Sequence, residues 1–249
     1  MDLGLKSKSA IVTGGSRGIG FAIANLLGRE GANVSICARN AEQVEKAREA
    51  LGQHGGKVHA ATCDVADPAA LEAYINEAHA VLGGLDVLIN NASAFGRSDD
   101  ESGWQSSIDV DLMASVRASW AAIPLMEAAG GGAIVHISSI SGFAASTRTP
   151  PYAAIKATLM QYTLTQALEL APKNIRVNCV APGSIYFEGG TWDDARQNNP
   201  QLYAAIQDSI PSGRFGKPEE VADLTAYLAS SAAAWVTGQT VAVDGGQML

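Results

Sequence analysis

The stretch AIVTGGSRGIG, residues 10–20, carries an apolar run into a helical one through Gly14, Gly18 and Gly20. Glycines at such a junction allow a tight turn and let the backbone approach a pyrophosphate at the helix N-terminus. The spacing is G-x-x-x-G-x-G, one residue longer between its first two glycines than G-x-G-x-x-G. A glycine-rich turn alone is a weak signal. Between a strand and a helix it becomes a dinucleotide-binding signal, provided the alternation continues.

It does continue. Strands are expected at Ser9–Thr13, Asn33–Ala38, Lys57–Thr62, Asp86–Asn90, Ala133–Ile137, Asn174–Val180 and Thr240–Val243. Helical periodicity predicts Gly18–Arg29, Ala41–Gln53, Pro68–Leu82, a long helix over Glu101–Ala128, Tyr152–Leu170 and Pro218–Ala229. Asp67 and Pro68 suit a helix cap and first turn. Strand–helix alternation implies a doubly wound α/β fold, with one parallel sheet of about seven strands covered on both faces. The strands lack period-two alternation, as double coverage requires. A single dinucleotide-binding domain spans residues 1–249 in this reading. Its rhythm breaks at about 183–214, where GSIYFEGGTWDDARQNNP reads as a substrate-binding loop or lid.

Composition excludes several classes. Hydrophobic residues make up 47% and charged residues 17%, which suits a large core. The net charge is −8, and no Lys/Arg run offers a nucleic-acid footprint. Cys37, Cys63 and Cys179 are odd in number and widely spaced, which fits buried free thiols. No metal-ligand spacing links His54, His59, His79 and His136; His136 reads as a core or wall residue. The chain lacks an apolar signal core and a membrane-spanning run, so a cytoplasmic location without a membrane partner is the expectation.

The end of the second predicted strand bears on the dinucleotide. An NAD site would place Asp or Glu there for the ribose hydroxyls. This strand ends Cys37-Ala38-Arg39-Asn40. Arg39, with Arg17 from the loop, suits a 2′-phosphate, because a guanidinium matches phosphate geometry. NADP(H) is therefore expected in preference to NAD(H).

The stretch SSISGFAASTRTPPYAAIK, residues 138–156, supplies the chemistry. Tyr152 and Lys156 are four apart and share a helix face. A phenol ordinarily titrates near about pH 10, and a neighbouring ammonium lowers that value toward proton exchange near neutrality. The hydroxyls of Ser138 and Ser139 can meet the pair.

Together these residues resemble the short-chain dehydrogenase/reductase family over almost the whole chain. TGGSRGIG is similar to its cofactor loop and Asn90-Asn91-Ala92 to its NNAG. Tyr152-x-x-x-Lys156, with Ser139 thirteen residues upstream, is similar to its active-site signature. Asn178, Pro182-Gly183 and Asp244-Gly245-Gly246 resemble its later landmarks. The resemblance implies Tyr152 as general acid/base, Lys156 as its pKa modulator and ribose ligand, and Ser139, by its spacing, as the hydrogen-bond donor to the substrate oxygen. It implies cofactor contacts from Gly14, Ser16, Arg17, Gly18, Ile19, Gly20, Asp64, Val65, Asn90, Pro182, Gly183 and Ile185. It further implies a homotetramer, with a 3-oxoacyl-carrier-protein reductase-like activity as one specific possibility.

Three positions depart from the pattern. Counting seven residues from Trp104 reaches Asp111, where the family usually carries a catalytic asparagine with a water behind the lysine. Asp111 can accept from that water, so a proton path with altered pH dependence is expected. Ser93 replaces the final glycine of NNAG, read as a minor backbone matter, and Phe187 replaces a threonine after Pro182-Gly183. The expected activity is NADP(H)-dependent interconversion of a ketone and a secondary alcohol. The rival is a dinucleotide-binding sensor or scaffold of the same fold that has lost turnover. The 183–214 stretch holds no Lys/Arg cluster, only Arg196 within it and Arg214 at its end, which favours a small, cyclic or aromatic, uncharged substrate.

Overall fold

The computed structural model describes residues 2–249. Its strands are β1 (Ser9–Thr13), β2 (Asn33–Ala38), β3 (Val58–Thr62), β4 (Val87–Asn90), β5 (Gly132–Ile137), β6 (Ile175–Pro182) and β7 (Thr240–Val243). They form one parallel sheet ordered β3-β2-β1-β4-β5-β6-β7. The principal helices in the first half are α1 (Gly18–Arg29), α2 (Ala41–Leu51) and α3 (Pro68–Leu82). They are followed by α4 (Glu101–Ser106), α5 (Ala114–Ala128) and α6 (Pro150–Leu170), and then by α7 (Thr191–Asn198), α8 (Pro200–Asp208) and α9 (Pro218–Ala229).

The sheet divides two apolar cores, and successive strand residues supply one each. Val12, Ile89 and Val135 face α1 and α9, where Ile23, Leu27, Val221 and Ala226 cover them. Their neighbours Ile11, Leu88 and Ile134 face the other way, onto Leu71 and Ile75 of α3 and Ala118 and Met126 of α5. This is why the strands read as continuous apolar runs. Truncating a fully buried Ile or Leu here to Ala costs about 2–5 kcal/mol.

Strand order reverses between β1 and β4, since β2 and β3 extend one way and β5 to β7 the other. Loops leaving the carboxyl ends of strands on either side of such a switch diverge and leave a crevice. The turns after β1, β4, β5 and β6 all open there.

Two elements differ from expectation. The helix expected over 101–128 contains a π-helical segment, Ser107–Met113, between α4 and α5. A π turn is wound wider than an α turn and commonly marks a functional site; Asp111 lies within this one. The stretch expected as an irregular loop at 183–214 contains α7 and α8, begun by Thr191 and by Pro200 with Asn199 as its cap. Tyr203 and Phe215 stack at 4.6 Å between centroids, with Trp192 5.2 Å from Phe215. That aromatic cluster is what orders the segment.

Candidate active site

The crevice is a cleft of about 1000 Å³. At one end is the glycine turn. Gly14 and Gly18 hold φ values of +66° and +55°, a region side-chain-bearing residues rarely adopt. A Cβ on Gly14 would stand 2.9 Å from the Cα of Ala92. Asn91 fastens this turn to the one after β4, donating from Nδ2 to the carbonyls of Thr13 at 2.9 Å and Gly14 at 3.1 Å. The start of α1 has no side-chain cap, whereas Asn40 caps α2 and Asp67 caps α3. Its first N–H groups are thus available to a phosphate, and the turn has room for backbone-level contact. These residues fit a dinucleotide.

Arg39, exposed at the end of β2, lines the same end with Ser16, Arg17, Ile19, Asp64 and Val65. Among the described residues Arg39 forms no ion pair. Pro182, Gly183 and Ile185 line the cleft from the β6 side. Asn90 differs from expectation: its side chain turns away, donating to the Ser119 hydroxyl at 3.3 Å and meeting His136 Nδ1 at 3.2 Å. It braces α5 against β5, while Asn91 faces the cleft.

At the other end stand Tyr152, Lys156 and Ser139. Pro150 and Pro151 begin α6, so Tyr152 sits in its first turn with Lys156 one turn on. Lys156 is 2% exposed. Its Nζ donates to the Ile137 carbonyl at 3.1 Å, lies 3.1 Å from Asp111 Oδ1 and stands 5.3 Å from the Tyr152 ring centroid. Ser138 donates its hydroxyl to the Lys156 carbonyl at 2.7 Å, a structural commitment. The Ser139 hydroxyl faces the phenol instead. The two serines, equivalent by composition, are separated by geometry.

Charges here are tuned by burial and by one another. Burial pushes the Tyr152 phenol up; Lys156 and Ser139 pull it down and Asp111 pushes it up again, leaving it above the ordinary value. The expected lowering by Lys156 is present but outweighed, so the phenol keeps its proton at neutral pH. Burial pulls Lys156 down, yet the charges of Asp111 and Tyr152 outweigh this and hold it above the ordinary lysine value. His136 is buried, bonded through Nε2 to Gln166 Oε1 at 2.8 Å, and pushed by burial down to about 4. It is neutral and belongs to the core, since it does not line the cleft.

Residues 14–248 match the family model described as enoyl-(acyl carrier protein) reductase. Dehydrogenase/reductase SDR family member 4 of Homo sapiens is 36% identical over 249 residues, covering 97% of this chain and 88% of that protein. The chain belongs to the short-chain dehydrogenase/reductase family. Its membership makes it an NAD(P)-dependent oxidoreductase. A second relative, the 3-oxoacyl-[acyl-carrier-protein] reductase of Chlamydia muridarum, is 40% identical over 97% of this chain and 98% of its own length. The L-sorbose reductase of Gluconobacter frateurii, solved with NADPH and L-sorbose, matches with a TM-score of 0.92 at 34% identity, covering 100% and 99% of the two chains.

The departures of this short-chain dehydrogenase/reductase from its family pattern acquire surroundings in the structure. Phe187 packs on the glycine turn; a Cβ on Gly18 would meet its ring at 2.7 Å. Arg17 donates to the Gly189 carbonyl at 2.9 Å, so the 183–214 segment rests directly on the glycine turn. Asp193 stiffens that segment by accepting from the Tyr186 hydroxyl at 2.7 Å and the Gly189 N–H at 2.9 Å. Asp111 does not line the cleft. It is fully buried and receives a hydrogen bond from the Ser93 hydroxyl.

Sequence reasoning missed Phe95, Arg97 and Arg148, and gave no side-chain role to Asn91 or Ser93. Phe95 packs edge-on to Tyr152 at 4.7 Å, and Arg97 stacks over Phe95 at 4.9 Å. Arg97 and Arg148 also line the cleft, outside the 183–214 stretch. Ser93 had a signal, since it puts a hydroxyl where the family pattern has glycine, just as Asp111 puts a carboxylate where it has asparagine.

Proposed function

We propose that this chain interconverts a ketone and a secondary alcohol with NADP(H), Tyr152 acting as general acid in reduction and general base in oxidation. The observation that carries the reading is the convergence of Ser139, Tyr152 and Lys156 on a cleft that runs unbroken to the glycine turn and Arg39. The bound dinucleotide supplies or accepts the hydride. Tyr152 gives its hydroxyl proton to the carbonyl oxygen, and Lys156 stabilises the phenolate left behind. Ser139 donates a hydrogen bond to that oxygen as charge develops on it. Asp111 acts behind Lys156, outside contact with the substrate. Arg39 and Arg17, with no acid at the end of β2, support NADP(H) over NAD(H), and the sorbose reductase's NADPH is consistent with that.

The test is initial rates on a ketone and alcohol panel with NADPH and NADH. Turnover with NADPH favoured is the expected result. Tight NADPH binding with no turnover across the panel would support the sensor reading instead, which the extra charge at Asp111 motivates. Because Arg97 and Arg148 line the cleft, the panel includes anionic ketones beside neutral ones.

The same proposal includes a homotetramer in the cytoplasm. Exposed Trp120 on α5, Leu164 and Leu168 on α6, and Trp235 and Leu249 near the C-terminus are apolar surfaces that assembly would cover. Light scattering after size-exclusion chromatography checks it; a monomer at micromolar concentration would refute it. No described helix is long and apolar enough to cross a membrane, and no described cluster of His, Cys, Asp and Glu could hold a metal.

A further inference from the structure

Three donors converge on the Asp111 carboxylate. Oδ1 receives the Ser93 hydroxyl and the Lys156 ammonium, the latter at 3.1 Å, while Oδ2 receives the Ala94 N–H at 3.1 Å. The donors are divided between both oxygens. A carboxamide in this place would have to turn its NH₂ toward either the Ala94 N–H or the Lys156 ammonium, donor against donor. The surroundings are therefore built for a carboxylate, and Ser93 is part of that construction. Two residues eighteen positions apart, each departing from the family pattern, contact one another.

We propose that Asp111, anchored by Ser93 and the Ala94 N–H, is a positioning residue that holds Lys156 in a buried ion pair and so keeps Tyr152 a proton donor to higher pH than a neutral residue at position 111 would. The inference rests on the acid/base assignment of Tyr152 above. The groups facing the Tyr152–Lys156 pair are few. Asp111 approaches from the π-helical segment, His136 from β5, Cys179 from β6 and Ser139 from the turn after β5. Arg97 stands beyond Phe95. His136 is neutral above about 4. Burial pushes the Cys179 thiol up, so it too is uncharged near neutrality. Asp111 is the one described anion opposing Lys156. With it, a phenolate at Tyr152 would join an ammonium already half neutralised; without it, the ammonium would favour the phenolate unopposed.

The decisive measurement is a tyrosinate absorbance titration of the protein without added dinucleotide, taken as the difference between each protein and its Tyr152→Phe counterpart. Asp111→Asn should move the residue-152 titration to lower pH by about one unit, the scale of one nearby charge. The acid limb of alcohol oxidation should move the same way. Lost thermal stability with no movement of either titration, or movement to higher pH, overturns the proposal. Ser93→Ala guards against misfolding of the first variant, since it keeps both charges and removes one donor. It should lower kcat for reduction with KM nearly unchanged, and unchanged kcat refutes the anchor. The absorbance titration needs no turnover, so it distinguishes failure of this inference from failure of the proposed reaction.

Discussion

The two ends of the cleft handle charge in opposite ways. At the chemical end, Lys156 and Asp111 are 2% and 0% exposed and lie 3.1 Å apart. At the glycine-turn end, Arg17 and Arg39 are exposed, and Arg17 bonds only a backbone carbonyl. Coulombic interaction grows as the effective dielectric falls, so equal charges do unequal work at the two ends. The buried end has its electrostatics built in during folding. The exposed end is a solvated pair of cations, which in the proposed function becomes specific when a 2′-phosphate arrives. Proton transfer needs the first arrangement, and reversible cofactor exchange suits the second.

The sharpest attempt to break this comparison removes the phenol hydroxyl. Tyr152→Phe should lower kcat by ~10²–10⁴-fold, the usual worth of a positioned general acid, with NADPH affinity nearly unchanged. Substantial residual turnover would remove the proton-donor role from Tyr152.

Next in size is stability. Lys156→Met would leave Asp111 buried without its cation, and stranding one member of a buried pair costs about 3–5 kcal/mol. Arg39→Ala, at the exposed end, should change stability by less than about 0.5 kcal/mol. Urea melts of both proteins check the contrast; equal costs would mean that burial does not distinguish the ends. A smaller effect, on specificity alone, belongs to Arg39→Asp. It should shift the ratio of NADPH to NADH efficiency toward NADH by ~10- to 100-fold, the scale of one charge-assisted hydrogen bond. An unchanged ratio would dismiss Arg39 as the phosphate clasp.

What could be read from the chain follows the same division between local and tertiary causes. Gly14, Gly18 and Gly20 are local: their backbone freedom and the apolar run before them specify strand, turn and helix together. Tyr152 and Lys156 are local too, one helical turn apart. Asp111 was reachable by counting from Trp104, but its environment was not. Ser93 comes from another turn, and the π-helical winding of Ser107–Met113 leaves no mark in a helical periodicity that continues on either side. The side chains of Asn90 and Asn91 could not be told apart in sequence, because adjacent asparagines have the same composition. Only the packing of α5 against β5 decides which one turns inward. The segment at 183–214 was read as irregular because Gly183, Gly189 and Gly190 interrupt it. Its order comes from Trp192, Tyr203 and Phe215 meeting across residues distant in sequence.

The smallest expected effect separates the ends without any substitution. Salt shortens the screening length from about 10 Å at 0.1 M to about 3 Å at 1 M, and exposed charges feel this far more than buried ones. Raising ionic strength across that range should therefore weaken NADPH binding several-fold more than NADH binding, because only the former engages the exposed arginines through a 2′-phosphate. The acid limb of alcohol oxidation should stay in place, since its electrostatics lie between Tyr152, Lys156 and Asp111 inside the protein. The sign follows from the group involved: oxidation needs the phenolate, so activity rises as pH passes upward through the Tyr152 titration. If salt instead moved that limb while leaving NADPH and NADH affinities in constant ratio, the assignments would be reversed. Tyr152 would then be governed by solvent-exposed charge, and cofactor preference by contacts other than Arg17 and Arg39.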